Sequence, residues 1–451
     1  MIVQFIQLSI CGNNMKKHII LLIALIFLFR RAAADFQIEA SAIIGSPTLA
    51  FDTSMDTNFS QTYPFLSGSN NDESIFIWGF TPDKSTTPMT YSATRRKFNP
   101  QTFDMTDEYI PLNLRTNEEP LIAYSPNGYI GVACTVADAN DTNTLNVVVY
   151  SFINTIANPD SVSTVNIVSN STPGANYLVI ELFYQDEYFY VIYAQLNTNS
   201  PDRIFVQGFL TSNPKITTFT TPLELNKDNN AEIHQIVCAK QPNNSSMICS
   251  WRVETQEKVV YVLVDLTNGT VSEETTIVTD SANYRFLPDY IIIADGYFVI
   301  ILDQMQDGKI KRFSAQVSTT GETVILPFTL KDGYSFANVS AAGRYYDGWF
   351  GLIRSTSEED GQISGTEEVF QLVNQDGSAN GTAITVLRDG RVLQGLELSD
   401  NSYWILCIDG VTGDWSKGYI MKLFSQTAVF GDLLRPMLAF ISLMLSLVIL
   451  L

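Results

Sequence analysis

The sequence predicts an all-β fold built from repeated units of four short strands. A polar turn followed by an aromatic or apolar segment recurs along the chain, and apolar and polar residues alternate with period two around these segments. The region between the two apolar termini contains no convincing amphipathic helix pattern. The 451 residues are 12% aromatic and only 16% charged, which excludes a disordered acidic chain.

Each repeat begins with a polar turn that runs into a strand-like segment. Successive turns lie 54, 59, 59, 50, 52 and 54 residues apart, counted from Ser74 to Gly128 and onward to Ser402. Such regular spacing over seven units indicates a repeat architecture. The turns and their segments are 71–74 before IFIW, 126–128 before YIGVAC, 185–187 before YFYVIY, 244–246 before MICSW, 294–296 before YFVIIL, 346–348 before WFGLI and 399–402 before YWILCI.

Every repeat continues with a second strand, and several continue with a Thr/Val-rich edge segment. Enrichment in β-branched and aromatic residues supports these assignments. The second strands are predicted at 89–98, 146–152, 203–210, 258–266, 309–317, 367–373 and 419–424. The edge segments are predicted at 215–225, 270–278 and 322–330.

Four strands per repeat of about 50 residues, repeated seven times, predict a seven-bladed β-propeller. The last repeat ends one strand short, at Phe424. We therefore expect residues 36–44, which alternate apolar with polar, to close the ring as the edge strand of the seventh blade. Two stacked β-sandwiches are the alternative.

Across residues 35–424 the chain resembles the β-propeller class in its repeat pattern. It lacks the Trp-Asp repeat, the Gly-Gly pair of kelch repeats and the Ser-x-Asp-x-Gly-x-x-Trp box of sialidases. The Asn/Thr-rich, weakly charged repeats between secretion and tail signals resemble the surface propellers of protists such as ciliates. This resemblance implies a membrane or GPI-anchored ectodomain.

The N-terminal region is typical of a secretory signal peptide. A basic pair at 16–17 precedes the apolar run 18–29, and alanines at 32–34 supply a cleavage site. We predict that residues 1–34 comprise an upstream extension and a signal peptide starting at Met15. The apolar run is shorter than the ~20 residues that span a bilayer. The arginine pair that follows the run leaves a retained N-terminal anchor as the alternative.

The C-terminal region predicts attachment to a membrane. Residues 437–451 are apolar and no charged residue follows them. A GPI signal has small residues at the attachment site, a spacer and an apolar tail, which assigns Ser425 as the attachment residue and 425–436 as the spacer. A retained transmembrane helix is the alternative. Both place the protein at the plasma membrane, facing the outside of the cell.

Glycosylation and one disulfide fit that compartment. Cys238 and Cys249 flank a polar loop and are predicted to close a hairpin, whereas Cys134 and Cys407 lie in apolar strands and are expected to be buried. The N-x-S/T sites are Asn58, Asn140, Asn170, Asn243, Asn244, Asn268, Asn338 and Asn380; Asn243 and Asn244 overlap, so we expect one of these two to be used.

The sequence contains no pattern typical of catalysis, and we predict a protein that is not an enzyme. Paired carboxylates in a propeller would suit a glycosidase. The pairs in this chain lie in predicted turns or at strand starts, where charged side chains are usually solvated, and we interpret them so. A sialidase-like site would also need converging arginines, and no arginine spacing sets three together. The pairs are at 118–119, 273–274, 358–360 and 367–368. His234 is predicted to be a strand residue, which leaves a serine hydrolase without its base.

We predict no cofactor. Structural Ca²⁺ is the alternative, because a few aspartates lie beside glycine turns and supply the oxygen ligands that calcium prefers. The hairpin-turn interpretation of Asp-Gly is the more common one. The candidate calcium ligands are Asp303, Asp307, Asp409 and Asp414.

The net charge of the chain limits the kinds of partner that it can bind. With 47 acidic and 27 basic residues the chain has a net charge of −20, which disfavours nucleic acid. The sequence predicts a non-catalytic surface glycoprotein that binds a protein or glycan through its propeller loops. Trp349, Tyr403 and Trp415 are candidate contacts, with blade packing as the alternative for the first two. A carbohydrate-active enzyme and a structural surface coat are the alternative functions.

Overall fold

The computed structural model describes the chain from residue 47 to residue 425, with gaps. Within the described residues the one helical element is the 3-10 turn Glu254–Gln256, and none of their helices is long and apolar enough to cross a membrane. The all-β prediction is confirmed. The gaps are 53–64, 69–73, 84–89, 116–120, 126, 138–144, 154–162, 168–174, 198–200, 228–231, 242–244, 283, 295, 307–308, 329–335, 346–347, 360–361, 399–401 and 410–416.

The strands form seven antiparallel sheets, which we call blades 1 to 7. Blade 1 contains β2 (Phe65–Gly68), β3 (Ile75–Asp83), β4 (Thr90–Phe98) and β5 (Met105–Arg115). Blade 2 contains β6 (Leu121–Tyr124), β7 (Tyr129–Ala137), β8 (Leu145–Ile153) and β9 (Ser163–Asn166). Blade 3 contains β10 (Ala175–Gln185), β11 (Tyr188–Asn197), β12 (Arg203–Leu210), β13 (Asn213–Thr217) and β14 (Leu223–Glu224).

The remaining four blades follow in chain order. Blade 4 contains β15 (Ile233–Lys240), β16 (Ser246–Val253), β17 (Lys258–Asp265), β18 (Thr270–Val271) and β19 (Thr275–Thr279). Blade 5 contains β20 (Arg285–Ala294), β21 (Tyr297–Gln306), β22 (Lys309–Ser318) and β23 (Thr323–Pro327). Blade 6 contains β24 (Phe336–Tyr345), β25 (Gly348–Glu359), β26 (Gln362–Val373) and β27 (Ala379–Arg388). Blade 7 contains β28 (Gly390–Glu397), β29 (Ser402–Asp409), β30 (Lys417–Ser425) and β1 (Thr48–Asp52).

The blades form a closed ring. The first strand of every blade contacts the first strands of the blades before and after it, and β28 of blade 7 contacts β2 of blade 1. Seven sheets whose first strands surround a common axis constitute a β-propeller. Two stacked sandwiches, in which two sheets pack face to face, are therefore the wrong alternative.

An N-terminal strand closes the ring, as predicted. The closing strand is β1, which pairs with β30, whereas the predicted segment 36–44 lies outside the described residues. Phe51 of β1 is 1% exposed, and its ring packs so closely on Gly418 that a Cβ there would approach it to 2.1 Å. Arg96 of blade 1 donates to the carbonyl oxygen of Ala50 at 2.5 Å. The closing strand is thus held by both flanking elements.

The second strand of each blade is buried on both faces, which explains why it is the clearest feature of the sequence. In β11, residues 189–194 are all buried. Because each blade is covered by its two neighbours, this strand is a continuous apolar run instead of an alternating one. Ile192 and Trp251 share a core cluster between blades 3 and 4, and Tyr261 and Ile300 share one between blades 4 and 5.

The first strands carry a recurrent irregularity. In five blades the pairing of the first strand with the second shifts register near the middle of the strand, which indicates a β-bulge. A bulge re-aims the side chains that follow it. The shifts fall between Val179 and Glu181, His234 and Val237, Pro288 and Tyr290, Val339 and Ala341, and Val392 and Gln394.

Polar side chains lock each of several blades to the next. In these contacts a carboxylate or amide oxygen accepts a hydrogen bond from a backbone N–H of the next blade's first strand, which satisfies an edge that no strand pairs. The locks are Ile233 N to Asp202 (2.9 Å), Val339 N to Asp289 (3.1 Å), Val392 N to Glu368 (3.0 Å) and Leu66 N to Gln394 (2.7 Å).

Blades 4 and 5 are joined by a buried ion pair. The Arg252 side chain is 2% exposed and donates to both carboxylate oxygens of Asp280, at 3.0 and 2.8 Å. Arg252 also donates to the Phe286 carbonyl oxygen, while Asp280 accepts from the Phe286 N–H, both at 3.0 Å. Such fully hydrogen-bonded geometry offsets the cost of burying both charges.

The cysteine predictions are confirmed. Cys238 and Cys249 are opposite each other on β15 and β16, with their Cα atoms 4.2 Å apart, and form a disulfide. Cys134 and Cys407 are both buried. His234 lies in β15, as expected of a strand residue.

Candidate binding site at the propeller axis

Two tyrosines from different blades meet at the centre of the ring. Tyr290 lies on β20 of blade 5 and Tyr403 at the start of β29 of blade 7, and their hydroxyl groups share a hydrogen bond. The Tyr290 hydroxyl also hydrogen-bonds the backbone of Ala342 in blade 6. Blades 5 and 7 are not neighbours, so these side chains can meet only near the axis.

Three charged residues complete this group. The carboxylate of Glu181 from blade 3 and that of Glu397 from blade 7 both act electrostatically on Tyr290. Glu397 in turn interacts with Arg344 of blade 6. We call the five residues Glu181, Tyr290, Arg344, Glu397 and Tyr403 the axial cluster. Convergent polar groups from several elements at the centre of a propeller define the best candidate for a ligand site.

Local backbone features bring the cluster together. Glu181 and Tyr290 directly follow the bulges of β10 and β20, which set the direction of their side chains. Tyr403 needs space that only glycine leaves, because a Cβ at Gly395 would lie 2.1 Å from its hydroxyl oxygen. The absence of a side chain at Gly395 therefore lets the Tyr403 hydroxyl extend past β28.

The environment of the cluster favours protonated groups. Burial raises the pKa of Glu181 to about 7, although a hydrogen bond from the Leu182 N–H opposes this shift. Burial also raises the pKa of Tyr403 well above its ordinary value, and hydrogen bonding to Tyr290 adds to the effect. Burial raises the pKa of Glu397, while Arg344 acts in the opposite direction.

The cluster is both enclosed and reachable. Glu181 is surrounded by protein yet remains partly exposed, and Glu397 is exposed, whereas Tyr403 is only 4% exposed. The group offers tyrosine hydroxyls, two carboxyl groups and a guanidinium. This combination can donate to and accept from a ligand with many hydroxyl groups.

Other buried carboxylates belong to the blade locks and not to the axis. Asp303 and Arg312 are paired across β21 and β22, with Oδ1 and Nε 3.0 Å apart, and Arg312 also interacts with the lock residue Asp289. Burial raises the pKa of Asp303 to about 7, the neighbouring Asp289 charge adds to this rise, and Arg312 opposes it. Burial also raises the pKa of Asp289, against the hydrogen bond from Val339 and the charge of Arg312.

The two calcium candidates that the structure describes each bind another partner. Asp303 is an ion-pair partner of Arg312, and Asp409 accepts a hydrogen bond from the Lys417 N–H at 2.7 Å. Asp307 and Asp414 lie outside the described residues. Across the described ranges, no group of three or more His, Cys, Asp or Glu residues is placed to hold a metal.

One carboxylate pair is not the solvated pair that we expected. Glu368 is fully buried on β26, where it accepts from the Ser340 hydroxyl at 2.9 Å and from the Val392 N–H. We expected both glutamates of the pair 367–368 to be solvated, and this was wrong for Glu368. Successive residues of a strand face opposite sides of the sheet, and the Glu368 side chain faces blade 7. Burial raises its pKa to about 7. Of the other pairs, Glu274 is bound to Lys258 at 3.3 Å, and 118–119 lies outside the described residues.

The predicted modification sites are distributed as follows. Asn268 is exposed in a turn, where its amide nitrogen donates to Asp265 at 2.7 Å, and Asn380 is exposed on the outer strand β27. Asn338 lies within β24, opposite Arg354. Ser425 is the last residue of β30. The sites outside the described residues are Asn58, Asn140, Asn170, Asn243 and Asn244.

Of the predicted contact residues, only Tyr403 belongs to the axial cluster. Trp349 is 2% exposed and packs in the core between blades 5 and 6, which confirms its packing role. Trp415 lies outside the described residues. Glu181, Tyr290 and Glu397 were missed because they lie on first strands, which lack the turn-plus-aromatic pattern. Polar residues on the strand that precedes each repeat turn are the signal that would have identified these three residues.

Several solved structures are similar to this chain in fold. No family model matches the sequence, and no curated protein is significantly similar to it. A polysaccharide lyase is similar with a TM-score of 0.47 and 10% identity, over 85% of this chain and 98% of the lyase. The β-propeller domain of the Trilobed protease from Pyrococcus furiosus has a TM-score of 0.42 and 10% identity, over 81% and 94% of the two chains.

A third similar structure is the GH93 α-L-arabinofuranosidase of Fusarium graminearum, with a TM-score of 0.41 and 12% identity, over 84% of this chain and 97% of that enzyme. At such identities, fold carries no information about activity. The assignment of this chain to the β-propellers rests on its own sheet order and on the ring of first strands.

Proposed function

We propose that this protein is a non-catalytic cell-surface glycoprotein whose propeller binds an extracellular protein or glycan. The observation that carries the proposal is the axial cluster, in which side chains of four blades converge. A rigid ring that holds polar groups at its centre is preorganised for a ligand, which limits the entropy lost on binding.

A glycan suits the cluster better than a protein surface. Tyrosine hydroxyls and carboxyl groups match the donors and acceptors of sugar hydroxyls. The net charge of −20 disfavours acidic ligands, so we expect a neutral glycan.

The test is a calorimetric titration with neutral oligosaccharides of glucose, mannose and galactose, two to six residues long. We expect Glu181→Gln and Tyr290→Phe to weaken binding about tenfold each, as loss of a charged or buried hydrogen bond does. Val324→Asn, on the outer strand of blade 5 and 55% exposed, is the control and should bind like the wild type.

Unchanged affinity in both cluster variants would overturn the axial site. The wild type could instead bind a cell-surface protein and none of these sugars. If the cluster variants weaken that complex, the partner is a protein and the axial site stands.

A carbohydrate-active enzyme is the second candidate, favoured by one observation. A carboxyl whose pKa is about 7, as burial sets it for Glu181, is suited to proton transfer near neutral pH. Chromatography of each oligosaccharide after prolonged incubation distinguishes the two. If the wild type shortens an oligosaccharide and Glu181→Gln does not, the protein is an enzyme and the proposal of a non-catalytic role is wrong.

We also propose that the chain is secreted and held at the plasma membrane. The basic and apolar N-terminal segment, the eight N-x-S/T sites and the uncharged apolar tail support this location. Treatment of cells with phosphatidylinositol-specific phospholipase should release a glycosylated protein that ends near Ser425. Peptides from 437–451 in the membrane-retained protein would instead indicate a transmembrane tail.

A further inference from the structure

The outermost strand of blade 5 has a free edge. β23 pairs with β22 on one side, and no other strand among the described residues pairs with it. Its sequence TVILP contains no charged residue. Val324 is 55% exposed and Ile325 is 46% exposed. An exposed apolar strand at the edge of a sheet is a site at which another strand can pair.

Three other blades protect their outer edges in ways that β23 does not share. The edge strand β5 of blade 1 contains Asp107 and Glu108, and β13 of blade 3 contains Pro214 and Lys215. Charged side chains and proline within an edge strand oppose pairing with a further strand. In blade 6 the edge strand β27 carries the N-x-S/T site Asn380 near its start. The rim of blade 5 is therefore the more open to a partner.

Glycans at the two exposed N-x-S/T sites of the neighbouring blades would leave this rim uncovered. Residues 285–327 of blade 5 contain no such site. In blade 4, the turn that carries Asn268 lies against the ring of Phe219 in blade 3. In blade 6, Asn380 is opposite Leu372, and the adjacent Val373 packs against blade 5. Successive strand residues face opposite sides, so Asn380 faces away from blade 5.

The hydrogen bonds to β22 show which backbone groups of β23 face outward. The Glu322 carbonyl oxygen, just before the strand, accepts from β22 at 2.8 Å, and the Phe328 N–H, just after it, donates to β22 at 3.1 Å. Inward and outward residues alternate along an antiparallel strand, so the N–H and C=O groups of Thr323 and Ile325 face away from β22. The free edge therefore offers two donors and two acceptors.

We propose that β23 pairs with β23 of a second copy of this chain, antiparallel and about a two-fold axis at Val324. In this register Thr323 of each copy is opposite Ile325 of the other, and each such pair exchanges two hydrogen bonds. All the outward groups of these residues are then satisfied. Pro327 is not needed, because it has no N–H and its carbonyl oxygen lies against the turn at Gly377. Val324 is opposite itself, in the kind of pair whose side chains are closest.

Charge favours an identical strand at this edge. Copies with a net charge of −20 repel each other wherever their acidic surfaces meet. β23 itself is uncharged, and the register places Glu322 of each copy opposite Leu326 of the other, so like charges do not face each other. A contact of one short strand from each copy is small and therefore weak. Attachment to a membrane would raise the local concentration that such a contact needs.

Cross-linking of the full-length protein on cells tests the register. Val324→Cys should give a reducible dimer under mild oxidation, because the two Cα atoms of such a pair lie about 4.5 Å apart, within the range of a disulfide. Ile216→Cys is the matched control, since Ile216 is 47% exposed on the outer strand β13 of blade 3. It should remain monomeric under the same conditions.

Sedimentation equilibrium of the detergent-solubilised full-length protein measures the strength of the contact. Val324→Lys places two like charges directly opposite each other and should raise the dissociation constant of the dimer about tenfold or more. Val324→Ile should keep the dimer. Ile216→Lys adds the same charge to another outer strand and should dimerise like the wild type. Both positions are exposed, so these substitutions should leave folding intact.

Three results would overturn the proposal. The first is a wild type that sediments as a monomer at every concentration. The second is a dimer that Val324→Lys leaves as strong as that of the wild type, because the interface would then lie elsewhere. The third is Val324→Cys that cross-links to a different protein and never to itself, since β23 would then pair with a strand of another chain. The proposal does not depend on the axial site, which the sugar titrations test separately.

Discussion

Tyr290 of blade 5 and Tyr403 of blade 7 are hydrogen-bonded to each other although a whole blade separates them around the ring. This contact joins blades 5 and 7 past the first strand of blade 6, and Ala342 of that blade joins it through the backbone of β24. The pair is therefore part of the structure as well as the centre of the candidate site.

Loss of the Tyr290 hydroxyl should destabilise the protein. Tyr290→Phe leaves the buried Tyr403 hydroxyl without this partner, which costs about 1–2 kcal/mol of the free energy of unfolding. Urea unfolding measures the change. Tyr184→Phe is the matched control, because the Tyr184 hydroxyl accepts one long hydrogen bond of 3.2 Å from the exposed Glu187 N–H. Equal stability of the two variants would contradict the hydrogen bond between Tyr290 and Tyr403.

Two substitutions in the five-residue closing strand β1 test whether it stabilises the ring. Phe51→Ala removes a side chain that is 1% exposed and should lower the free energy of unfolding by about 3–5 kcal/mol. Leu49→Ala on the same strand, where the side chain is 45% exposed, should change it little. Thermal or urea unfolding of both variants checks the prediction, and a small effect at Phe51 would mean that β1 does not close the ring.

Stability should fall as the pH rises toward neutrality. Burial raises the pKa of Glu181, Asp303 and Glu368 to about 7 in the folded protein, from ordinary values near 4. Between these limits the folded state binds more protons than the unfolded state, so the free energy of unfolding decreases from about pH 4.5 to above pH 7.

Glu368→Gln isolates one of these contributions. The amide keeps an oxygen for the Val392 N–H but cannot titrate, so the decrease between pH 5 and pH 8 should be smaller by roughly 2.5 kcal/mol than in the wild type. Urea unfolding at several pH values provides the measurement. A decrease as steep as that of the wild type would show that Glu368 has an ordinary pKa in the folded protein.

The disulfide should stabilise blade 4. Cys238 and Cys249 are 11 residues apart in sequence, and a cross-link of this loop length contributes about 2–3 kcal/mol. The double variant Cys238→Ala/Cys249→Ala should unfold at correspondingly lower urea concentration. Adding a reductant should lower the stability of the wild type but not that of the variant, and equal sensitivity of the two would contradict a formed disulfide.

The parts of the fold that the sequence predicted are those with both faces buried. The second strands are long apolar runs after a polar turn, so their number and spacing predict the seven blades. The strand β12 was predicted at its observed limits, 203–210. The closing strand was expected in kind but placed too early, because residues 36–44 and 48–52 alternate in much the same way.

The axial cluster was not predictable by the same means. First strands such as β20 carry a mixture of proline, charged and apolar residues, because one edge faces the axis and side chains after a bulge change direction. Glu181 and Tyr290 have no sequence motif, and they become a site only when the ring brings blades 3 and 5 together. The burial of Glu368 was not predicted, because its neighbour Glu367 is equally charged. Only the side of the sheet that each residue faces decides which of the two is buried.

The most direct test of the axial site is a crystal structure of the protein with the tightest-binding member of the oligosaccharide series. We expect electron density for the sugar in contact with Glu181 and Glu397 at the centre of the ring. Sugar density confined to the outer strands or to loops away from the axis would contradict the account.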